Sequence, residues 1–439
     1  MNRGAIVRGA FALLLGSFTV AACGDNLDHD AGVDAGPDGP SDILVQLGTL
    51  PGVTVTEWAP PMGFPAEPGY RYFDLLFTQP IDHHDPSAGT FQQYVALMHR
   101  DVTAPFVIYT SGYDAGWTRF LTEPSQLLAA DQISIEYRFY GQSRPEAIPW
   151  AKLTIEQAAD DEHAILGALA TIYTGKKIQT GGSKGGENAM HHMWSYPQDL
   201  DGVVAYVAPV ITDNPDLRYA TVLDDIGIPA CRTALRAVQR EMLIRHAAME
   251  SRALATSMFE IASVAHATET AIVELEFSFW MTRGEADCGE VPSPTATDDA
   301  LFTFLDATGG PSGYDDAELA TSGSQYIYQD QAQLGYPVWQ HAHLDDLMQF
   351  SYEDWSAWDP WGAGYPAMAT SADAIDLRVL HGSHWSSGIY SLGLEDQQAA
   401  VSALRRWAGL TAQAAAPEIQ RPLASMASQG PSLALPADH

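Results

Sequence analysis

A serine set among glycines, Gly181-Gly182-Ser183-Lys184-Gly185-Gly186, is the segment of this 439-residue chain with the clearest chemical use. Its spacing is G-x-S-x-G, which places a serine on a sharp turn from strand to helix with its hydroxyl exposed. Glycines flank such a serine because a side chain there would block the turn or crowd a substrate. G-x-S-x-G also arises by chance, so the competing reading is an inert glycine-rich turn. A serine hydroxyl is a poor nucleophile at neutral pH. It needs a histidine to take its proton and an acid to orient that histidine. Asp359, in Trp358-Asp359-Pro360-Trp361, and His384, in Gly382-Ser383-His384-Trp385, follow Ser183 in the order serine, acid, histidine. Asp354 and Asp346 are second candidates for the acid, and His381 for the base. A tetrahedral intermediate needs two N–H donors for its oxyanion. Lys184, directly after the serine, supplies one. The loop Ser111-Gly112-Tyr113 supplies the other through Gly112 or Tyr113.

Strands and helices must position these groups. Residues 177–180 read as a short strand into the turn, and 187–196 as a helix closed by Pro197. Residues 202–207 read as the next buried strand. Upstream, 73–77, 90–98, 105–110 and 133–137 read as strands, and 153–173 carries helical periodicity. Alternation of strand and helix argues for a parallel sheet covered on both faces. With the G-x-S-x-G turn, this predicts an α/β-hydrolase fold. From about residue 213 the pattern changes. Leu235, Val238, Met242 and Met249 recur at helical spacing within 231–267. Few strand signals occur before about 345, which predicts a mostly helical cap over the site. Strands are expected again at 347–352, before the acid, and at 376–380, before the histidine. Residues 395–410 read as a last helix. The expected organisation is a first hydrolase segment at 42–212, the cap at 213–345, a second hydrolase segment at 346–412, and a frayed tail at 413–439.

Composition narrows the partners. Against 22 basic residues stand 55 acidic ones, a formal charge of -33, which argues against nucleic acid because phosphates would be repelled. Arg3 and Arg8 precede an apolar run at 10–20 that is too short for an ordinary membrane span. Val20-Ala21-Ala22-Cys23 then resembles a bacterial lipobox, with Cys23 the lipidated residue. Plain secretion with cleavage nearby is the alternative. Residues 1–23 are thus expected to be an export signal and 24–41 a disordered acidic linker, poor in large apolar residues. The expected location is the cell envelope, with the membrane engaged only through that anchor. Cys231 and Cys288 remain as an even pair in an exported chain, which predicts a disulfide over two free buried thiols. The remaining histidines match no strong metal-ligand spacing, and neither metal nor organic cofactor is expected.

Several motifs carry a family likeness. Glu136-Tyr137-Arg138-Phe139-Tyr140-Gly141-Gln142-Ser143, the serine turn and Asp359-Pro360-Trp361-Gly362 resemble segments of the prolyl carboxypeptidase family. A closer resemblance is to bacterial secreted tripeptidyl aminopeptidases. It lies in the lysine after the serine, Tyr196-Pro197, the run from Asp201 to Pro209, Cys231-Arg232-Thr233, and the run from Ile108 to Tyr113. The likeness extends from about residue 72 to 410. It implies a serine exopeptidase that removes short peptides, foremost tripeptides, from free N-termini. A secreted esterase or lipase of the same fold, or an inactive binding protein on that scaffold, are the rival classes. The chain departs from the pattern at Ser111, where the family-like residue is glutamate, and around 352–361, where extra residues precede the acid. An N-terminal exopeptidase must bind the substrate ammonium, so another acid has to serve. Glu136 and Asp114 are the candidates. Pairing of Glu136 with Arg138, or capping of a turn by Asp114, are the structural alternatives.

Overall fold

Phe73, Leu75 and Phe77 recur at every second position of one strand, and Val95 and Leu97 of the next. Such a pattern buries one face of a hairpin. In the computed structural model β2 (Arg71–Pro80) pairs antiparallel with β3 (Thr90–His99), and Phe73 stands opposite Leu97 and Leu75 opposite Val95. The described residues are 42–115, 119–211, 218–335, 341–350, 375, 377 and 388–411. A short helix α1 (Ile43–Leu47) and an edge strand β1 (Val53–Trp58) precede the hairpin. The sequence pattern did not single out either one. β1 alternates half-buried and exposed residues because it pairs only with β2.

The sheet continues with β4 (Phe106–Thr110), β5 (Asp131–Ile135), β6 (Lys177–Gly182) and β7 (Gly202–Tyr206), in the order β1-β2-β3-β5-β4-β6-β7. β5, β4, β6 and β7 are parallel to one another, and β3 meets β5 antiparallel. An antiparallel start, a crossover that places β5 outside β4, and a glycine-flanked serine directly after β6 make this an α/β-hydrolase fold. Helices α2 (Glu123–Leu128), α3 (Ile155–Leu169), α4 (Lys184–Ser195) and α12 (Leu394–Trp407) flank the sheet. β4 is buried throughout, so its alternate residues enter different cores. Phe106 and Ile108 pack with Ile165, Leu166 and Leu169 of α3, and Val107 joins the core that holds Val401 and Leu404 of α12.

The insertion has its own apolar core. Helices α5 (Arg218–Asp225), α6 (Pro229–Ile244), α7 (His246–Thr256), α8 (Val264–Thr282) and α9 (Asp298–Gly309) bury Leu235, Val238, Met242, Met249, Phe279 and Leu305 together. A Cys231–Cys288 disulfide joins the start of α6 to the chain after α8. α10 (Asp316–Glu318), α11 (Ser324–Gln329) and two π-helical turns, Leu319–Gly323 and Asp330–Leu334, complete it. One expected strand is corrected. Residues 347–350 form turns and bends, because the N–H groups of Gln349 and Phe350 donate to the Glu269 carboxylate of α8 (2.9 to 3.0 Å) and Leu347 joins the helical core. Residues 351–352 and most of the 376–380 strand lie outside the described residues.

Candidate active site

Ser183 stands between the end of β6 and the first residue of α4, with φ 53 and ψ −130. A non-glycine residue rarely adopts that conformation, and the surrounding structure must impose it. The restraints are visible. Ser183 N–H donates to the carbonyl of Tyr206, the last residue of β7, at 2.9 Å. A Cβ on Gly185 would lie 2.2 Å from the Thr110 carbonyl, so only glycine lets the first turn of α4 rest on the end of β4. Phe139 and Val207, which also have positive φ, lie in the two segments that border this turn. Ser183 itself is half-buried.

The loop after β4 comes to the same place. Gly112 has φ 75, and a Cβ there would lie 2.6 Å from Gly185 N and 2.8 Å from the Lys184 carbonyl carbon. Gly112 therefore seats directly on the Lys184–Gly185 peptide. Tyr113 N–H donates to Ser111 Oγ (3.1 Å), and that hydroxyl donates to the Tyr113 carbonyl (2.7 Å). The Tyr113 amide is so engaged, and the Gly112 loop rests against the first peptide of α4. The Lys184 amide opens a helix and has no intrahelical acceptor.

A polar network fixes the floor of the site. Asn188 Nδ2 donates to Thr110 Oγ1 (2.7 Å) and to Glu162 Oε1 (2.6 Å). Glu162 also accepts from Gln179, and Gln179 bonds His192. Four elements, β4, β6, α3 and α4, are locked together in this way. His192 is buried and structural, and His191 reaches Glu187 at 3.7 Å. Among the described residues no cluster of three or more His, Cys, Asp or Glu could hold a metal ion.

The candidate acids sort by environment. Glu136 is buried and accepts from Ala115 N (3.0 Å), Ser143 N (2.6 Å) and Ser143 Oγ (2.8 Å). It braces the Gly112 loop against the turn at 141–143. Burial pushes its carboxyl up to about 7, against the pull of those donors and with help from Asp114. Arg138 does not pair with Glu136. Its guanidinium grips Asp161 through Nε (2.7 Å) and Nη2 (2.9 Å). Asp114 is exposed beside the loop. Asp346 is held by both Nη atoms of Arg240 on α6, at 2.7 and 2.8 Å. Asp354, Asp359, His381, His384 and Cys23 lie outside the described residues.

The sequence pattern gave no role to the Lys184 side chain. It is buried, with its ammonium 3.6 Å from the Tyr137 ring centroid, 4.9 Å from that of Tyr140 and 5.0 Å from that of Tyr113. Nζ donates to the Gly112 carbonyl. Burial draws the ammonium down to about 7, against the opposing pull of Glu187 and Asp330. The available signal was a lysine beside a nucleophile together with the tyrosines of Tyr137-Arg138-Phe139-Tyr140.

The profile of the PS-10 peptidase S37 family matches residues 38–356. The chain is 36% identical over 317 residues to the prolyl tri/tetrapeptidyl aminopeptidase of Streptomyces mobaraensis, covering 71% of this chain. It spans about 65% of the length of that relative. Among solved structures, homoserine O-acetyltransferase from Staphylococcus aureus overlaps with a TM-score of 0.29 at 11% identity, over 55% of this chain and 67% of that one. Acetyl xylan esterase 1 from Thermoanaerobacterium overlaps with 0.27 at 12% identity, over 38% and 55%. The match of a family profile over most of the chain, with the serine turn inside it, makes this protein a member of the peptidase S37 family.

Proposed function

We propose that this chain is an exported serine exopeptidase that releases short peptides, tripeptides foremost, from free peptide N-termini. The observation that carries the reading is Ser183, held at φ 53 between β6 and α4 with Gly112 seated against the peptide that follows it. Ser183 Oγ attacks the scissile carbonyl. His384 takes the hydroxyl proton and returns it to the leaving amine, and Asp359 holds the imidazole in the required tautomer. Negative charge gathers on the carbonyl oxygen, between the Lys184 and Gly112 amides and at the positive end of α4.

Support for His384 comes from where the chain returns. Glu123 accepts from Ile389 N (2.8 Å), Tyr390 N (3.2 Å) and the Tyr206 hydroxyl (2.9 Å). Tyr206 is the residue whose carbonyl accepts from Ser183 N–H. Gly388 lies four positions after His384, a reach of at most about 14 Å. Asp114, exposed beside the oxyanion loop, is the proposed partner of the substrate ammonium, since the Glu136 oxygens already accept from three donors. The helical insertion would cover the cleft and exclude folded proteins. A Cys23 lipid and the 24–41 tether would hold the enzyme at the cell envelope, where a disulfide persists; retention of Cys23→Ala in membranes would refute the anchor.

Hydrolysis of tripeptide p-nitroanilides, with free and acetylated N-termini, tests the reading. The name of the Streptomyces relative adds tetrapeptides and proline before the cut to the panel. Ser183→Ala is expected to lose several orders of magnitude in kcat while staying folded. Acetylation, or Asp114→Asn, is expected to lower kcat/KM at least tenfold. Preference for p-nitrophenyl esters, indifferent to acetylation, would make the protein an esterase. Binding of peptides without turnover or fluorophosphonate labelling would make it an inactive scaffold.

A further inference from the structure

We propose that Lys184 is the positioning residue of the oxyanion loop: its ammonium, caged by tyrosines and bonded to the Gly112 carbonyl, fixes the direction of the Gly112 N–H. The inference rests on Ser183 being the nucleophile.

Gly112 lacks a side chain, and its positive φ lies in a region that glycine enters and leaves freely. Something else must hold it. Its Cα is pressed on the Lys184–Gly185 peptide, and its carbonyl accepts from Lys184 Nζ. Those two contacts hold the Cα and the carbonyl side of Gly112, and so restrain the φ rotation that would turn its N–H. The lysine that supplies its own backbone N–H to the oxyanion thus controls the second donor through its side chain. Three aromatic faces surround the buried ammonium, a setting in which a cation–π contact is stronger than at a surface.

The groups facing the ammonium come from every neighbouring element. Glu187 lies one turn along α4, Tyr113 is in the oxyanion loop, Tyr137 and Tyr140 follow β5, and Asp330 comes from the insertion. Both Asp330 oxygens are buried. Burial raises the carboxyls of Asp330 and Glu187, which weakens their hold on the ammonium. The ammonium is charged below about 7 and neutral above it. A neutral amine still reaches the Gly112 carbonyl, but it loses the charge that made the bond and the cage strong.

The test uses the full-length enzyme. The rate of fluorophosphonate labelling is the pH readout, because that probe has no amino group of its own to titrate. Wild type should label at Ser183, with a rate that rises as His384 loses its proton and falls severalfold as the Lys184 ammonium loses its own. Lys184→Met should slow labelling and kcat by roughly 10- to 100-fold with KM within threefold, a smaller loss than deleting an oxyanion donor outright. It should also abolish the fall above pH 7. Should Lys184→Met fail to fold, Tyr137→Leu and Tyr137→Phe decide the matter. The leucine variant loses the aromatic face and should move the fall to lower pH, and the phenylalanine variant should leave it in place. A folded Lys184→Met with kcat within twofold of wild type, or a pH profile that Tyr137→Leu does not move, would overturn the proposal while Ser183 stands as nucleophile. Wild type that labels at another residue, or not at all, would remove the nucleophile and this proposal together.

Discussion

Arg138, just after β5, and Asp330, in the insertion, are both buried ionisable residues, and their surroundings are opposite. Arg138 is matched at every face. Asp161 takes two of its N–H groups, the carbonyls of Ile81 and Lys152 take Nη1 at 3.1 and 2.6 Å, and Phe91 and Phe139 lie against the guanidinium. Asp330 is buried with no carboxylate-to-guanidinium pairing of that kind among the described residues, and burial lifts its carboxyl well above the usual range, against the lesser pulls of Lys184 and Tyr326. Arg138 thus meets burial with partners on every side, and Asp330 meets it with a carboxyl shifted toward the neutral form. Sensitivity to pH collects where the insertion meets the serine turn, around Lys184, Glu187 and Asp330.

The most damaging change should strike the frame that the sheet half supplies. Gly185→Ala forces a Cβ to within 2.2 Å of the Thr110 carbonyl, and neither backbone can yield without moving Ser183. Loss of essentially all turnover and of fluorophosphonate labelling is expected. Activity within tenfold of wild type in a folded variant would mean that α4 does not rest on β4 as described.

Next comes the contrast itself. Arg138→Met leaves the buried Asp161 carboxylate with His83, at 2.7 Å, as its remaining side-chain partner among the described residues. Breaking a buried pair from one side costs about 3–5 kcal/mol. Asp330→Asn replaces a protonated carboxyl with a neutral group of the same shape and should change stability by less than about 1 kcal/mol. Urea unfolding of the two variants measures both. Equal losses would erase the distinction between the two halves.

The sheet was legible from the sequence because hydrophobic alternation and glycine turns are local signals. Strands at 73–77, 90–98 and 105–110 were found within a few residues of β2, β3 and β4. β1 escaped because an edge strand with only half-buried residues has little pattern to read. The strand expected at 347–352 failed over its described part because an apolar run alone cannot tell a strand from a segment packed on helices. Here Glu269, 80 residues before Gln349, claims the amides of Gln349 and Phe350. Lys184 shows the same limit. Its neighbours Tyr113, Tyr137 and Asp330 are brought together only by the folded chain, and no spacing in the sequence announces them.

The Cys231–Cys288 disulfide closes a loop of sequence separation 57 around α6, α7 and α8. Cross-linking a loop of that length stabilises by roughly 2–4 kcal/mol. Cys231→Ser with Cys288→Ser should lower the unfolding midpoint of the insertion and leave the sheet half as protected from hydrogen exchange as before. Uniform loss of protection would show that the two halves unfold as one unit.

The smallest expected effect concerns Glu274 of α8. Burial pushes its carboxyl from the usual range near 4.5 to about 8, and the Tyr314 hydroxyl, donating at 2.7 Å, offsets only part of this. The sign follows from proton counts. Below about pH 4.5 the folded and unfolded chains both carry the proton, and the residue contributes nothing to pH dependence. Between about 4.5 and 8 the unfolded chain has lost the proton and the folded chain keeps it, so stability falls as pH rises. Above about 8 both are ionised, and the loss is complete. Glu274→Gln keeps an acceptor for Tyr314 and cannot ionise. Its midpoint of thermal unfolding should match wild type near pH 5 and exceed it by a few degrees near pH 8. An offset of the same size at both values would mean that Glu274 is ionised in the folded insertion, and the contrast with the sheet half would then rest on Asp330 alone.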